Sequence, residues 1–442
     1  MEKTLTNIKK INVKGKTLLI PNMHPYGSHL LVACLRAFDV NAHVMDTYTG
    51  LSLGKQYTSS KECFPCQVTL GDIIFHLTKE KQRLKDKFNV ADYVYFMPES
   101  DGPCRFGMYN KFHRIVLDSI DEFSGISVSY LTTEDSYDTK GILPEEEARD
   151  FKKLAYVAII VADVLDRICW RVRPYEIEKG KTEKLILQGL WQLTRLIEEQ
   201  GRGLPFDQIC DLISDIAKKA SRLIDPKIPR KPQIGIVGEI YLRSHPPSNQ
   251  YLIKKIEEYG GEVTNASLGE WINYITYEGI RKPKLEIKKS RGIARCYLLF
   301  SNIKNILSKK IEMEYQKSKQ KRLYNAVLKY LDIKKDHSID KLEKKLQNDS
   351  IYSFQVGTEA CLSISGAIAY IEENFHGIVN VYPFSCMPST ITSAILKPML
   401  RKKHIPYIDC PYDGTIYPNR EIALRTFMYQ ANLRQLEGAK NG

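Results

Sequence analysis

LLIPNMHPYGSHLLVACLRAFDVNAHVMD, residues 18–46, is echoed in the second half of the chain by IGIVGEIYLRSHPPSNQYLIKKIEEYGGEVTNA, residues 234–266. Each reads as a short apolar strand, a His-Pro turn, an amphipathic helix and a second strand. A second pair follows the same logic: VYFMPESDGPCRFGMYN (94–110) and IVNVYPFSCMPSTITSA (378–394) both run from strand through loop and cysteine to helix. In the first half, strands are expected over 17–22, 42–45, 92–97 and 125–131, with helices between them. Strands alternating with helices over short connections form a parallel sheet covered on both faces. Two such units in one chain predict an internal duplication. The expected division is a first α/β domain over 15–140, a helical connecting region over 141–229 and a second α/β domain over 230–440. The second carries a lysine-rich helical insertion at about 280–346. The Pro-rich DPKIPRKPQ (225–233) reads as the linker between the two.

A chain of 442 residues suits two or three domains, and 43% hydrophobic with 26% charged residues is ordinary for a globular protein. The polar start MEKTLTNIKKINVKGK has no apolar h-region, and no stretch is apolar enough to cross a bilayer. A cytoplasmic protein without a membrane partner is expected, so the ten cysteines are not read as a disulfide framework. The net charge of +13 favours acidic partners. Its excess lies in the 280–346 insertion, where acids interleave with lysines at helical spacing. That pattern describes a solvated helical face more readily than a nucleic-acid interface.

Chemistry is expected at the cysteines. KECFPCQVTLGDII (61–74) puts Cys63 and Cys66 where a turn gives way to a helix, and the helix dipole there favours thiolate. Cys104, Cys386 and Cys410 each follow a predicted strand, in loops where open α/β sheets hold their ligands. Cys361 precedes Gly366 by five residues, as Cys66 precedes Gly71. Cys34, Cys169, Cys210 and Cys296 fall within apolar periodicity and are expected in the core. Alone, Cys-x-x-Cys leaves a redox disulfide, half a zinc site and part of an iron–sulfur cluster open. Thiols scattered over two domains suit the cluster better than the two close pairs of a zinc site, or the single pair of a disulfide. His24 and His245, in equivalent turns, are candidate proton donors, and Asp413 is either a turn residue or an acid near the site. No Gly-x-Gly-x-x-Gly follows a strand, so a nicotinamide site is unsupported.

KECFPCQVTLGDII, DGPCRFGMYN, VYPFSCMPSTI and YIDCPYDGT resemble the 2-hydroxyacyl-CoA dehydratase D-component superfamily. They look most like the branch found in the C-terminal region of large CoA-substrate-specific enzyme activases and in double-cubane cluster proteins. The resemblance implies two Rossmann-like domains with an iron–sulfur cluster in the cleft between them. By motif it assigns Cys63, Cys66, Cys104 and Cys386 as ligands of a [4Fe-4S] cluster, with Cys361 and Cys410 as looser matches. All six together would suit a double-cubane [8Fe-9S] cluster. Arg105, beside Cys104, would hydrogen-bond cluster sulfides or an anionic substrate.

The implied activity is acceptance of low-potential electrons from an ATP-hydrolysing activase carrying its own [4Fe-4S] cluster. Those electrons would reduce or dehydrate a small molecule, such as a CoA thioester. The alternative is a non-catalytic electron carrier or scaffold. True dehydratases use three cysteines per subunit, leave one iron open and pair two different subunits, whereas this chain carries the tight Cys63–Cys66 pair. No Gly-rich phosphate loop precedes residue 17, so the activase is expected as a separate chain. A homodimer is expected from the same likeness.

Overall fold

The computed structural model describes residues 13–441 except 60, 101–103, 130, 132–141 and 349. Residues 1–12 of the polar start, Asp101, Gly102 and Pro103 of the Cys104 motif, and part of the expected 125–131 strand fall outside the described residues.

Two four-stranded parallel sheets organise the chain. The first comprises β1 (Thr17–Ile20), β2 (Ala42–Val44), β3 (Tyr93–Phe96) and β4 (Ser127–Ser129), in the order β2-β1-β3-β4. The second comprises β5 (Gln233–Gly238), β6 (Glu262–Asn265), β7 (Gly377–Pro383) and β8 (Tyr407–Tyr412), in the order β6-β5-β7-β8. Both sheets thus place their first strand between the second and third. In the registers, Leu18 pairs with Ala42 and Val94, and Ile234 with Val263 and Gly377. This is an α/β fold of two Rossmann-like domains, whose inner strands β1, β3, β5 and β7 are mostly buried and mainly apolar, while the edge strands β2 and β8 are partly exposed.

Helices α1 (Gly27–Ala37), α2 (Leu51–Gln56), α3 (Phe64–Leu84) and α4 (Tyr109–Asp118) belong to the first sheet. The long amphipathic run after it forms α5 (Glu145–Val172), α6 (Lys181–Gln200) and α7 (Phe206–Ser221). These helices are packed rather than a loose connection: with α1 they make one core over the first sheet, built on Leu30, Leu154, Ile160, Leu165, Leu193 and Ile213. In the second half lie α8 (Ile240–Ser244), α9 (Leu252–Glu258), α10 (Leu268–Lys289), α11 (Gly292–Leu328), α12 (Ile339–Asn348), α13 (Glu359–Glu372), α14 (Met387–Lys402) and α15 (Pro418–Asn441).

Two local features set the seam between the halves. First, Phe64 and Val68 from the opening of α3 belong to the core of the second sheet, with Val381, Cys410 and Tyr412. Second, α2 lies backbone-to-backbone on α3. A methyl at Gly50 would stand 2.0 Å from the Gly71 carbonyl oxygen, and one at Gly71 would meet the Gly50 oxygen at 2.0 Å. Only glycine permits that approach, and it fixes the start of α3.

Burial divides the four cysteines expected in the core. Cys34 and Cys169 are core residues and Cys210 is half-buried against the core. Cys296 is exposed on α11, because the apolar periodicity around it faces outward rather than into this chain.

Candidate metal centre

Three cysteines, two from the first half and one from the second, each stand at the start of a helix or 3-10 turn. Cys63 is the N-cap of α3, with φ +94°. Its left-handed backbone, rare for a residue with a Cβ, turns this thiol away from the course of the helix that follows. Cys104 caps the 3-10 turn Arg105–Met108 that leads into α4, and Cys386 caps α14, with Pro388 in its first turn. The positive ends of these backbone dipoles favour negative charge at the sulfurs.

Cys104 and Cys386 both lie close enough to Cys63 to act on its thiol. Burial pushes the Cys63 thiol well up, with Glu239, Cys386 and Cys104 adding to it, while the Tyr109 hydroxyl acts in the opposite direction as a hydrogen-bond donor. Burial raises Cys104 to about 12, with Glu359 next in effect, and Cys386 to about 12, with Glu239 next. Without a cation the sulfurs are protonated thiols; bound metal would deprotonate them.

Two half-buried carboxyls lie beside them. Glu239 follows β5 directly and caps α8, its oxygens accepting from the Tyr241 and Leu242 amides at 2.9 Å each. Gly238 at φ +119° precedes it, and a methyl there would lie 2.0 Å from the Val381 oxygen, so glycine brings this acid in against β7. Glu359, in the first turn of α13, accepts from the Ile240 amide at 3.4 Å. Burial raises both acids, and the proximity of Glu239 helps to push Glu359 to about 8. Opposing them is the guanidinium of Arg243, itself buried and donating to the Ser267 carbonyl at 3.4 Å. Arg243 thus acts on both carboxyls, and a bound cation would favour the ionised forms of the acids and thiols alike.

Glu239, Glu359, Arg243 and Tyr109 were not foreseen from sequence. The signal for Glu239 was its place at a strand end after glycine; Glu359 looked like an ordinary first-turn acid behind the Thr358 cap.

Cys66, Cys361 and Cys410 each have further partners of their own. The Cys66 sulfur faces Nε2 of His113 at 3.4 Å, in the core beneath the first sheet. His113 Nδ1 meets the Tyr95 hydroxyl at 3.3 Å, and burial lowers the imidazole to about 3. Cys361 donates to the Thr358 carbonyl at 2.8 Å and sits beside Tyr274. Cys410 is packed in the apolar cluster with Tyr412 and Phe64. Arg105 is exposed, although its charge is felt at Cys104. Asp413 is a turn residue, accepting from the Thr415 amide and the Tyr417 hydroxyl at 2.8 Å each.

The paired histidines divide. Nδ1 of His24 accepts from the Tyr26 and Gly27 amides, and its Nε2 pairs with Asp166 on α5 at 2.9 Å. Burial opposes its charge, yet Asp166 carries the imidazole above its ordinary range. His245 lies in a chain across the seam: Ser248 Oγ to Nδ1 at 2.7 Å, Nε2 to Thr47 Oγ1 at 3.0 Å, and Thr47 Oγ1 donating to Asp72 at 2.8 Å. With the Thr47 proton directed to Asp72, Thr47 accepts from His245 Nε2–H, which leaves Nδ1 to accept from Ser248.

Among the described residues, no group of three His, Cys, Asp or Glu side chains is arranged to hold a metal ion. By donor type, three thiols from separate helix starts suit an iron–sulfur cluster. A cavity of about 450 Å³ lined by Ala37, Glu198, Arg202 and Gln208, and a smaller one at Arg167, Trp170 and Glu262, lie away from the thiols. No described helix is long and apolar enough to cross a membrane. No family model matches the chain, and no curated protein matches it.

Proposed function

We propose that this chain is an iron–sulfur protein of the 2-hydroxyacyl-CoA dehydratase-like type, with Cys63, Cys104 and Cys386 holding a cluster at the seam. The grouping of these three helix-capping thiols beside the Glu239–Glu359 pair carries the reading. Bound there, a [4Fe-4S] cluster would supply one-electron reduction at low potential.

The chain's own residues would bind and tune it. The three helix starts favour the thiolates, Tyr109 donates toward Cys63, and apolar packing around Phe64 keeps water out. Three thiols leave one iron of a cubane for a non-cysteine ligand, the arrangement that serves a substrate carbonyl. Low-potential electrons would come from a separate ATP-hydrolysing activase with its own [4Fe-4S] cluster, and a small molecule such as a CoA thioester would be reduced or dehydrated. The burial of Cys63 and Cys386 favours a second reading, a non-catalytic electron carrier.

Anaerobic purification tests the proposal. The expected result is a brown protein with iron and acid-labile sulfide in near-equal amounts. Cys63→Ser, Cys104→Ser and Cys386→Ser should each lose most of the iron, while Cys66→Ser, Cys361→Ser and Cys410→Ser keep it. A colourless, zinc-loaded protein from that preparation overturns the reading. Turnover of acyl-CoA with an added activase separates the enzyme from the carrier.

A further inference from the structure

The helical hairpin of α10 and α11 carries an apolar surface that this chain does not cover. The buried residues of α11 begin only at Gln316, so its first six turns stand clear of the core. Along them Ile293, Tyr297, Phe300, Ile303, Leu307 and Ile311 are all exposed, Ile293 at 89% and Phe300 at 78%. At about 100° per residue these six fall in one arc of the helix. The opposite side, with Leu298, Asn302, Ile306 and Lys309, is half-buried, and Lys309 packs at Gly279 of α10. The arc therefore faces away from the hairpin partner. A continuous patch of this kind marks an interaction surface.

Charge identifies what covers it. Residues 287–311 contain seven lysines and arginines and no aspartate or glutamate. Among the described ion pairs only Lys309 of these seven is engaged, with Glu312 at 2.7 Å. A second copy would bring the same cations against these. Lys304 stands within the arc, one heptad from both Tyr297 and Ile311, where a bilayer would have to take up its charge along with the apolar side chains. A protein partner can instead place a carboxylate opposite Lys304 and apolar side chains around it. We propose that the α10–α11 hairpin is the docking site of an acidic protein, seated on the Ile293–Ile311 arc and paired with Lys304. This holds whether or not the thiols carry a cluster.

The full-length chain with p-benzoylphenylalanine in place of Phe300 is irradiated in an extract of its source cells, and the cross-linked protein is identified, purified and titrated against unmodified chain. The expected result is a protein acidic opposite the contact, whose affinity falls steeply with salt. Lys304→Glu should weaken it by about tenfold or more, and a carboxylate-to-lysine change in the partner should restore it. Lys304 is exposed, so the variant should keep the wild-type melting temperature. Three results overturn the proposal: a purified cross-linked protein that binds Lys304→Glu as tightly as wild type, sedimentation of the chain as a dimer that Leu307→Asp dissociates, or flotation with phosphatidylserine–phosphatidylcholine vesicles that Phe300→Ala abolishes.

Discussion

Replacing Asp72 by asparagine should flatten the pH dependence of stability in a defined window. Asp72 is 2% exposed on α3, at the end of the hydrogen-bonded chain that crosses the seam through Thr47 and His245. Burial raises its carboxyl from 3.8 to about 7, against the Thr47 hydroxyl and the Tyr48 and Gly50 amides, which favour the anion. Asp46 adds to the rise, and the buried Tyr95 and Tyr241 rings lie close by. The folded chain therefore holds this proton more tightly than the unfolded one by about 4 kcal/mol. That stabilisation is complete below pH 3.8, the unfolded value, and is lost as pH rises through about 7. Urea unfolding of the iron-free chain across that window reads it directly. Relative to wild type, Asp72→Asn should lose one proton's worth of this downward slope, about 1.4 kcal/mol per pH unit. Glu359, Glu270 and Asp163, raised by burial, slope the same way, while His113 and His245, lowered by burial to about 3, slope the opposite way, so the difference between variant and wild type carries the test. Parallel curves for wild type and variant would refute the reasoning, since they would mean that water reaches Asp72.

Gly71→Ala drives a methyl into the Gly50 carbonyl oxygen and should cost about 3 kcal/mol or more, read as a lowered thermal midpoint. Arg167→Met leaves Asp336 buried without its cation, although Gln320 and Tyr324 still donate to it, and should cost about 3–5 kcal/mol in the same melt. Thr47→Val removes the hydroxyl between His245 and Asp72, so that His245 keeps only its Ser248 contact and Asp72 loses its side-chain donor. A loss of about 2 kcal/mol is expected, with faster amide exchange in the loops after β2 and β5.

The fold was legible because its signals are local. Apolar runs bounded by turn residues located β1, β3, β5 and β7 to within a few residues, and the repeated strand, His-Pro turn and helix foretold two sheets of one topology. The site was legible only in part. Cys104 and Cys386 follow strands, so the sheet's own geometry delivers them to the seam. Cys63 and Cys66 read as a pair; Cys63 lies before the helix at positive φ and Cys66 within it, and inside one apolar cluster they take different partners, Tyr109 for Cys63 and His113 for Cys66. Which side of a helix start a thiol faces depends on that one dihedral, which residue spacing does not encode. The acids at 239 and 359 were hidden for a related reason: they are adjacent only after two distant helix starts have been brought together. Cys296 misled in the opposite way, since its apolar neighbours follow a helical period but face outward.

The first turn of α3, with Phe64 and Val68 lodged among side chains of the other sheet, has a consequence for how this architecture can be divided. A fragment ending in the Pro-rich 225–232 segment would carry Cys63 and Cys104 without Cys386 and leave an aromatic ring in water. The complementary fragment would keep one sulfur and an unfilled hole beside Tyr412. The ancestral modules have traded self-sufficiency for a shared interior, so domain shuffling would have to move both together.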